Sequence, residues 1–458
     1  MSTGERVRCL FGTDGVRDVA NRGIMTPEMA LNLGRSFVLF LIERGVPKPR
    51  ILVGKDTRRS GALIESAMVS GMMSAGANVF LAGILPTPGV SYLLRGGGFD
   101  AGAVISASHN PAEYNGIKFF DARGAKLSDD DEASVEEYLG DDLVEEWRPT
   151  GASIGETRDV RAAGGGYADW LRGELARVGP CDWPLAIDAA NGAAAEIAPR
   201  VFADWRGGVS FCGVDYDGLN INEGVGVMHM AHLAKEVRAH GARLGFAYDG
   251  DADRVLLCDA SGRTIDGDIM LWVVARFLRR EGALGGGVVA TVMSNLALEE
   301  KLAEEEIPVF RCPVGDRYVV AKMRETGAKL GGEQSGHIVA SDYVATGDGI
   351  CTGILFLRAC LALGLDPDGL VDAFPRYPQV LRNLKLANRE DILASPRLKE
   401  ACACAEAKLG GAGRLFLRPS GTEPLLRILV EARDEKLMHA VCGEIEEVIL
   451  AIGGDANR

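Results

Sequence analysis

The chain has no apolar run of the 18 or more residues that a membrane-spanning helix requires. The helical stretch around residues 269–278 is interrupted by Arg276, and that at 350–365 by Arg358. Its first residues include Met1, Ser2, Thr3, Glu5 and Arg6 and lack the apolar core of a secretory signal, which predicts a cytoplasmic protein. A basic footprint is missing too. Fifty Lys and Arg against 64 Asp and Glu give a formal charge of −14. That balance argues against nucleic acid or an anionic membrane as partner, while a few local arginines can still hold a small anion. Clustered cysteines are absent. The ten cysteines are scattered singly, mostly in apolar segments, as buried reduced thiols are. The one close pair, Cys402 and Cys404, faces different directions on a helix and does not make a metal or redox site. His229 and His232 have no Cys or His cluster near them in sequence and read as the solvated start of a helix.

What the chain has in excess is glycine, 59 residues without a Gly-X-Y period, clustered near 96–98, 164–166, 285–287 and 410–413. Such clusters mark tight loops between regular elements. At roughly 150 residues per domain, 458 residues predict three or four domains. Runs of Ile, Leu and Val alternate with amphipathic segments, the pattern of α/β units with buried parallel strands. Three stretches show it best: a strand at 51–54 before a helix ending near 75, one at 185–188 before 193–202, and one at 288–292 before 296–304. They read as one unit used three times, without residue-level identity. Composition shifts place boundaries near 155, 258 and 372, the last where Pro367, Pro375 and Pro378 interrupt helical pattern. The expected fold is three α/β domains, 1–155, 156–258 and 259–372, and a smaller α+β domain, 373–458.

Four loops carry chemistry. After the strand at 101–105, Ser106, Ser108, His109 and Asn110 precede Pro111, in a loop expected to display its hydroxyls. It is either a polar turn or the site of a serine nucleophile. The G-x-S-x-G elbow is absent, which disfavours acyl transfer. Phosphoryl transfer asks chiefly for surrounding positive charge and donors, and His109 and Lys118 supply them. In the second loop, Asp249, Asp251 and Asp253 alternate along the chain before Arg254. Three crowded carboxylates repel unless a cation offsets them, and hard oxygen donors suit Mg²⁺. An EF-hand would need Gly and Glu where Arg254 and Ala260 stand. The third loop, 331–337, offers Glu333, Ser335 and His337 to sugar hydroxyls. The fourth joins Arg418, Ser420, Gly421 and Thr422 to Arg427, an inventory for holding a phosphate dianion.

The motifs Phe11-Gly-Thr-Asp-Gly-Val-Arg17, Ser106-Ala-Ser-His-Asn-Pro111 with Asn115-Gly-Ile-Lys118, Asp249-Gly-Asp-Ala-Asp-Arg254, Glu333-Gln-Ser-Gly-His337 and Arg418-Pro-Ser-Gly-Thr-Glu-Pro424 stand in order along the chain. Together they resemble the α-D-phosphohexomutase superfamily over essentially its whole length. Glu333–His337 and the preceding Val314-Gly-Asp-Arg-Tyr-Val319 are most similar to the phosphoglucosamine mutase branch, with the mannose and glucose phosphate branches as the runner-up. The resemblance implies four domains around a central active-site cleft, with the phosphoserine loop, metal loop, sugar loop and phosphate loop in domains I to IV. It implies a phosphorylated Ser108 that ligates Mg²⁺ together with Asp249, Asp251 and Asp253. Arg17, His109 and Lys118 would surround the transferring group, with Lys118 as proton shuttle. Glu333, Ser335, His337 and Arg254 would bind substrate, and Arg418, Ser420, Gly421, Thr422 and Arg427 would hold the phosphate that is not reacting. Glucose or glucosamine 1,6-bisphosphate is the implied activator, a sugar phosphate the partner, and a homodimer is left open. Two other readings stand beside this one: a phosphatase with Asp249 as nucleophile, and a sugar-phosphate sensor without turnover. The chain departs from the family pattern at Asp18, Val225, Val227 and Pro419, and Asp18 is expected to weaken phosphate attraction at Arg17.

Overall fold

Aliphatic segments with no polar face become inner strands because both sides of the sheet are covered by helices. The computed structural model describes residues 10–12, 14–139, 148–386, 389–419 and 425–455. Among them the strands form four sheets. The first uses β1 (Val16–Val19), β2 (Arg50–Lys55), β3 (Asn78–Ile84), β4 (Ala101–Ile105), β5 (Tyr114–Asp121) and β6 (Thr157–Asp159), in the order β1-β5-β4-β2-β3-β6. Helices α1 (Pro27–Glu43), α2 (Ser60–Ser74), α3 (Thr87–Arg95) and α4 (Asp129–Glu137) accompany it. Thr26 caps α1 by accepting from the Met29 amide, with Pro27 in the first turn. Gly71 of α2 is required by packing, since a Cβ there would lie 2.0 Å from the Leu31 carbonyl oxygen of α1.

The second sheet follows α5 (Gly164–Ala176) and contains β7 (Leu185–Asp188), β8 (Val209–Cys212), β9 (Leu244–Tyr248), β10 (Val255–Asp259) and β11 (Thr264–Ile265), with α6 (Ala194–Val201) and α7 (Met230–His240) as crossovers. The third has β12 (Val288–Thr291), β13 (Val309–Cys312), β14 (Leu330–Gly332) and β15 (Ile338–Ala340). Its helices are α8 (Gly267–Arg280), α9 (Leu296–Ala303), α10 (Asp316–Thr326), α11 (Gly349–Leu363) and α12 (Pro367–Ala373). Pro367 opens α12, where the sequence suggested only an interruption: a proline at the first helical position gives up an amide that has no partner anyway.

The three sheets repeat one plan. A middle strand, β2, β7 or β12, runs parallel to two neighbours, and one of these turns back into an antiparallel strand: β4 into β5, β9 into β10, β14 into β15. These three turns carry Ser108, the Asp249–Asp253 run and Glu333–His337. The repeat read from the sequence therefore places its site loops at equivalent points.

The fourth sheet is antiparallel, β16 (Gln379–Lys385), β18 (Leu425–Ala432) and β17 (Gly413–Pro419) in that order, with α13 (Arg389–Ala394), α14 (Pro396–Leu409) and α15 (Glu435–Asp455). Alternate β18 residues Leu426, Ile428 and Val430 share a core with Val441, Ile445 and Ile449 of α15.

By contact density the chain forms two compact units, Met1–Met293 with Ile307–Ala373, and Ser294–Glu306 with Phe374–Arg458. The second thus includes α9. Asn295 and Tyr377 exchange two hydrogen bonds of 3.0 Å, and the Leu296 amide donates to Glu431 at 2.7 Å. No single helix among the described residues is long and apolar enough to cross a membrane.

Candidate active site

Ser108 adopts a left-handed backbone, φ 51°, which a non-glycine residue keeps only when its surroundings enforce it. The enforcing group is Arg58, fully buried against Asp56 at 2.9 Å. Its guanidinium donates to the carbonyls of Ser108 at 2.9 Å, Asn110 at 2.8 Å and Tyr114 at 3.1 Å, and also to that of Pro111. The Asn222 side-chain amide donates to the Ser108 and Asn110 carbonyls from the other side. Asp56 accepts from the Ser106 hydroxyl, which accepts from the Ser108 amide. The loop expected to display its hydroxyls instead holds Ser106 and Ser108 at 0% exposure.

The Ser108 hydroxyl donates to Asp249 Oδ2 at 2.6 Å. Close approach of the two loops needs Gly250, where a Cβ would lie 2.6 Å from the Ser108 carbonyl oxygen. Carboxylate oxygens of Asp249, Asp251 and Asp253 lie within 4.8 Å of one another, all buried. Lys118 from β5 reaches Asp251 at 2.9 Å, Asp14 at 3.2 Å and Asp253 at 3.5 Å. Thr87 donates to Asp251 at 2.6 Å. Burial, then Asp253 and Asp251, push the Asp249 carboxyl up to about 8. Burial and Asp253 also work against ionisation of Asp251, but Lys118 and the Thr87 hydroxyl hold it below the usual range. Oδ1 of Asp251 and Oδ1 of Asp253 are buried without a hydrogen-bond partner. An oxygen-only donor set in which Asp251 Oδ1 is buried without a donor fits a hard divalent cation.

Positive charge rims the serine. Arg17 pairs with Asp14 and lies 3.5 Å from the Ala107 carbonyl. Arg254 donates to His109 Nδ1 at 3.1 Å, and that nitrogen lies 3.3 Å from the Ser108 hydroxyl. Burial, then Arg254 and Arg17, lower His109 to about 4, so it stands neutral as an acceptor at neutral pH. Glu333 accepts from the Gly315 amide at 3.0 Å and from Ser335 at 3.2 Å. His337 is buried beneath the acid loop, 3.5 Å from Asp253, with Nε2 accepting from the Gly347 amide at 3.2 Å. Lys126 bridges Asp14 and Asp316.

The first compact unit therefore assembles Arg17, Ser108, His109, Lys118, Asp249, Asp251, Asp253, Arg254, Glu333, Ser335 and His337 from the expected set. In the second, Arg418 of β17 and Arg427 of β18 are directly opposed cross-strand partners. Ser420, Gly421 and Thr422 lie outside the described residues. Asp18 departs from the expectation: its carboxylate accepts from the Val19 and Ile24 amides at 2.7 and 3.0 Å, so its charge is committed to a turn. Sequence reasoning passed over Asp14, Asp56, Arg58, Thr87, Lys126, Asn222 and Asp316. Of these, Asp56 and Arg58 sat in the strand–loop–helix unit it had singled out, and Asp316 in the Val314–Val319 signature. His229 and His232 were read without neighbours, yet folding brings His232 beside Asp188 and Cys212.

Comparison with known proteins decides the family. Models of the phosphoglucomutase/phosphomannomutase family match residues 8–143 (α/β/α domain I), 266–377 (α/β/α domain III) and 381–448 (C-terminal domain). A phosphoglucosamine mutase of Rhodospirillum rubrum is 44% identical over 446 residues, 96% of this chain and 98% of the relative. The chain belongs to the phosphoglucosamine mutase family of α-D-phosphohexomutases. A second family member, from Carboxydothermus hydrogenoformans, is 44% identical over 96% of this chain and 99% of its own. Among solved structures, a phosphoglucomutase/phosphomannomutase family protein of Burkholderia thailandensis superposes with a TM-score of 0.78 at 26% identity, covering 96% of this chain and 97% of that one. The fold also matches an Aspergillus fumigatus N-acetylphosphoglucosamine mutase solved with GlcNAc-6P and magnesium, with a TM-score of 0.68, 18% identity, and 97% and 96% of the two chains covered.

Proposed function

We propose that the chain interconverts glucosamine 6-phosphate and glucosamine 1-phosphate through a phosphate carried on Ser108 and a 1,6-bisphosphate intermediate, supplying amino-sugar precursors in the cytoplasm. The observation that carries this reading is the buried Ser108–Asp249 hydrogen bond of 2.6 Å inside a rim of Arg17, Lys118, His109 and Arg254. Phosphoryl transfer consists chiefly of positioning and charge stabilisation, and this cluster offers both. In the first half-reaction the bond from phosphorus to Ser108 Oγ breaks as one to the sugar 1-hydroxyl oxygen forms. Lys118, held among Asp14, Asp251 and Asp253, is assigned as the proton shuttle: it gives one of its protons to a neighbouring carboxylate as it receives that of the hydroxyl. The bisphosphate turns over, and its 6-phosphate returns to Ser108. Arg17 and Arg254 stabilise charge on the moving group, while neutral His109 accepts from Arg254 and orients it.

Asp249, Asp251 and Asp253, with an oxygen of phosphoserine 108, are assigned as Mg²⁺ ligands. When bound, Mg²⁺ neutralises the acid loop and polarises the phosphoryl oxygens. Glu333 and Ser335 are assigned to the sugar hydroxyls and amino group, with His337 behind them. Arg418 and Arg427, with Ser420, Gly421 and Thr422, are assigned to the phosphate that is not reacting, and must accept either end of the substrate. We assign one domain to each sheet; because β6 (Thr157–Asp159) joins the first sheet and β11 (Thr264–Ile265) the second, the boundaries expected near 155 and 258 move to after 159 and after 265, and the third stays near 372.

The test is turnover of glucosamine, glucose and mannose phosphates with Mg²⁺ and a 1,6-bisphosphate activator, coupled to peptide mass spectrometry. Preference for glucosamine phosphates and a phosphate on Ser108 are expected. Phosphate on Asp249 with net hydrolysis would replace the mutase by a phosphatase.

A further inference from the structure

Outside this site the second sheet brings a thiol, an imidazole and a carboxylate together. Asp188 ends β7 and Cys212 ends β8, and the two are register partners in a parallel pair, so their side chains stand on one face. Ala186, two residues before Asp188 and hence on that face, packs on Leu233 and Val237 of α7. His232 of the same helix therefore hangs over the strand ends. Its Nδ1 lies 3.1 Å from Asp188 Oδ2, and donor atoms of Asp188, Cys212 and His232 fall within 4.8 Å of one another. Two ligands of a tetrahedral zinc ion, each about 2.0–2.1 Å from the metal, stand about 3.3 Å apart, close to the His–Asp separation here.

Ligand chemistry separates this cluster from the acid loop. One sulfur, one nitrogen and one oxygen suit a borderline-soft transition metal, where the three aspartates suit Mg²⁺. Asp188 is fully buried, and its orientation is fixed before any ion arrives by the Ala190 and Gly226 amides at 2.9 Å. That is the arrangement by which outer hydrogen bonds hold a ligand in place. Cys212 and His232 are part-exposed, which leaves an entry path and a fourth position for water.

We propose that Asp188, Cys212 and His232 form a second metal site, selective for a divalent transition ion of the zinc class and independent of the catalytic cation. Binding replaces the Cys212 thiol proton, which leaves to solvent, and forms a metal–thiolate bond.

The test uses Co²⁺ as the probe on the full-length protein held in excess Mg²⁺. Sulfur ligation produces a thiolate-to-cobalt charge-transfer band in the near ultraviolet that oxygen ligands cannot give. The expected result is one such band, saturating at one equivalent, displaced by Zn²⁺, abolished by Cys212→Ser and at least tenfold weaker in affinity in His232→Gln. Both variants are expected to keep parental mutase turnover with Mg²⁺. No band in the parent, or an undiminished band in both variants, overturns the site. His232→Gln alters a part-exposed helix residue and serves as the arbiter if Cys212→Ser folds poorly.

Discussion

Ser108 and Asp249, 141 positions apart in sequence, meet through a single hydrogen bond of 2.6 Å from hydroxyl to carboxylate. Neither element could set that distance alone. The serine is presented by the β4–β5 turn of one sheet and the aspartate by the β9–β10 turn of the next, and Gly250 removes the side chain that would keep the turns apart.

Ser108→Ala removes the atom that carries the phosphate, so mutase turnover is expected to fall at least 1,000-fold. The methyl side chain fits the same backbone, and the buried Asp249 oxygen left without its hydroxyl donor costs about 1–3 kcal/mol of stability. Steady-state rates within tenfold of the parent would dismiss Ser108 as the carrier.

Arg58 touches no substrate atom in this scheme, yet it holds four carbonyls of the serine loop. Arg58→Ala leaves Asp56 buried and unpaired, a change worth about 3–5 kcal/mol, and is expected to lower kcat about 100-fold or more with a smaller effect on KM. Arg58→Lys restores the partner of Asp56 but not the fork that spans the carbonyls. It should recover stability ahead of turnover. Equal recovery of both would show that Arg58 is structural only.

Stability should also report Asp348, which caps α11 through the Cys351 amide and accepts from Tyr167 at 2.9 Å. Burial raises its carboxyl to about 6 from 3.8. The fold prefers the protonated acid, so this contribution is complete below pH 3.8 and is lost as pH rises through about 6. The shift of roughly 2 units corresponds to about 3 kcal/mol. Asp348→Asn keeps the cap and should therefore stabilise the protein at pH 8 relative to pH 4.5, read by denaturant unfolding. A pH-independent difference would refute the assignment.

Arg427→Ala should raise KM for sugar phosphates about tenfold or more, the loss expected when a charged hydrogen-bond donor to phosphate is removed. Melting behaviour should change little, because the Arg427 side chain is only half-buried on β18. Unchanged KM across all three sugar phosphates would remove Arg427 from the anion clamp.

The sequence disclosed those parts of the site whose chemistry is written locally. Alternating aspartates and a serine-rich loop after a strand can each be seen within ten residues. The repeat was legible for the same reason, since strands 51–54, 185–188 and 288–292 are short apolar runs before polar loops. What stayed hidden depends on distant partners. Arg58 reads as one basic residue among several until the carbonyls of 108–114 close around it. Lys126 and Asp316 form an ion pair across 190 positions. Folding reversed two local readings: the serine loop is enclosed because a second sheet turn covers it, and Asp18 is occupied because its turn folds back on it.

The residence of α9 in the second compact unit means that unit is not a terminal appendage. A protein cut at 373 would lose Tyr377, Arg414, Glu431 and Arg433 from around the segment 294–306, leaving the Asn295 amide and the Leu296 N–H without their acceptors. The isolated tail would in turn lack a helix of its own surface. The practical corollary is that domain shuffling among relatives must carry the internal thirteen-residue insert together with everything from 374 onward, or exchange neither.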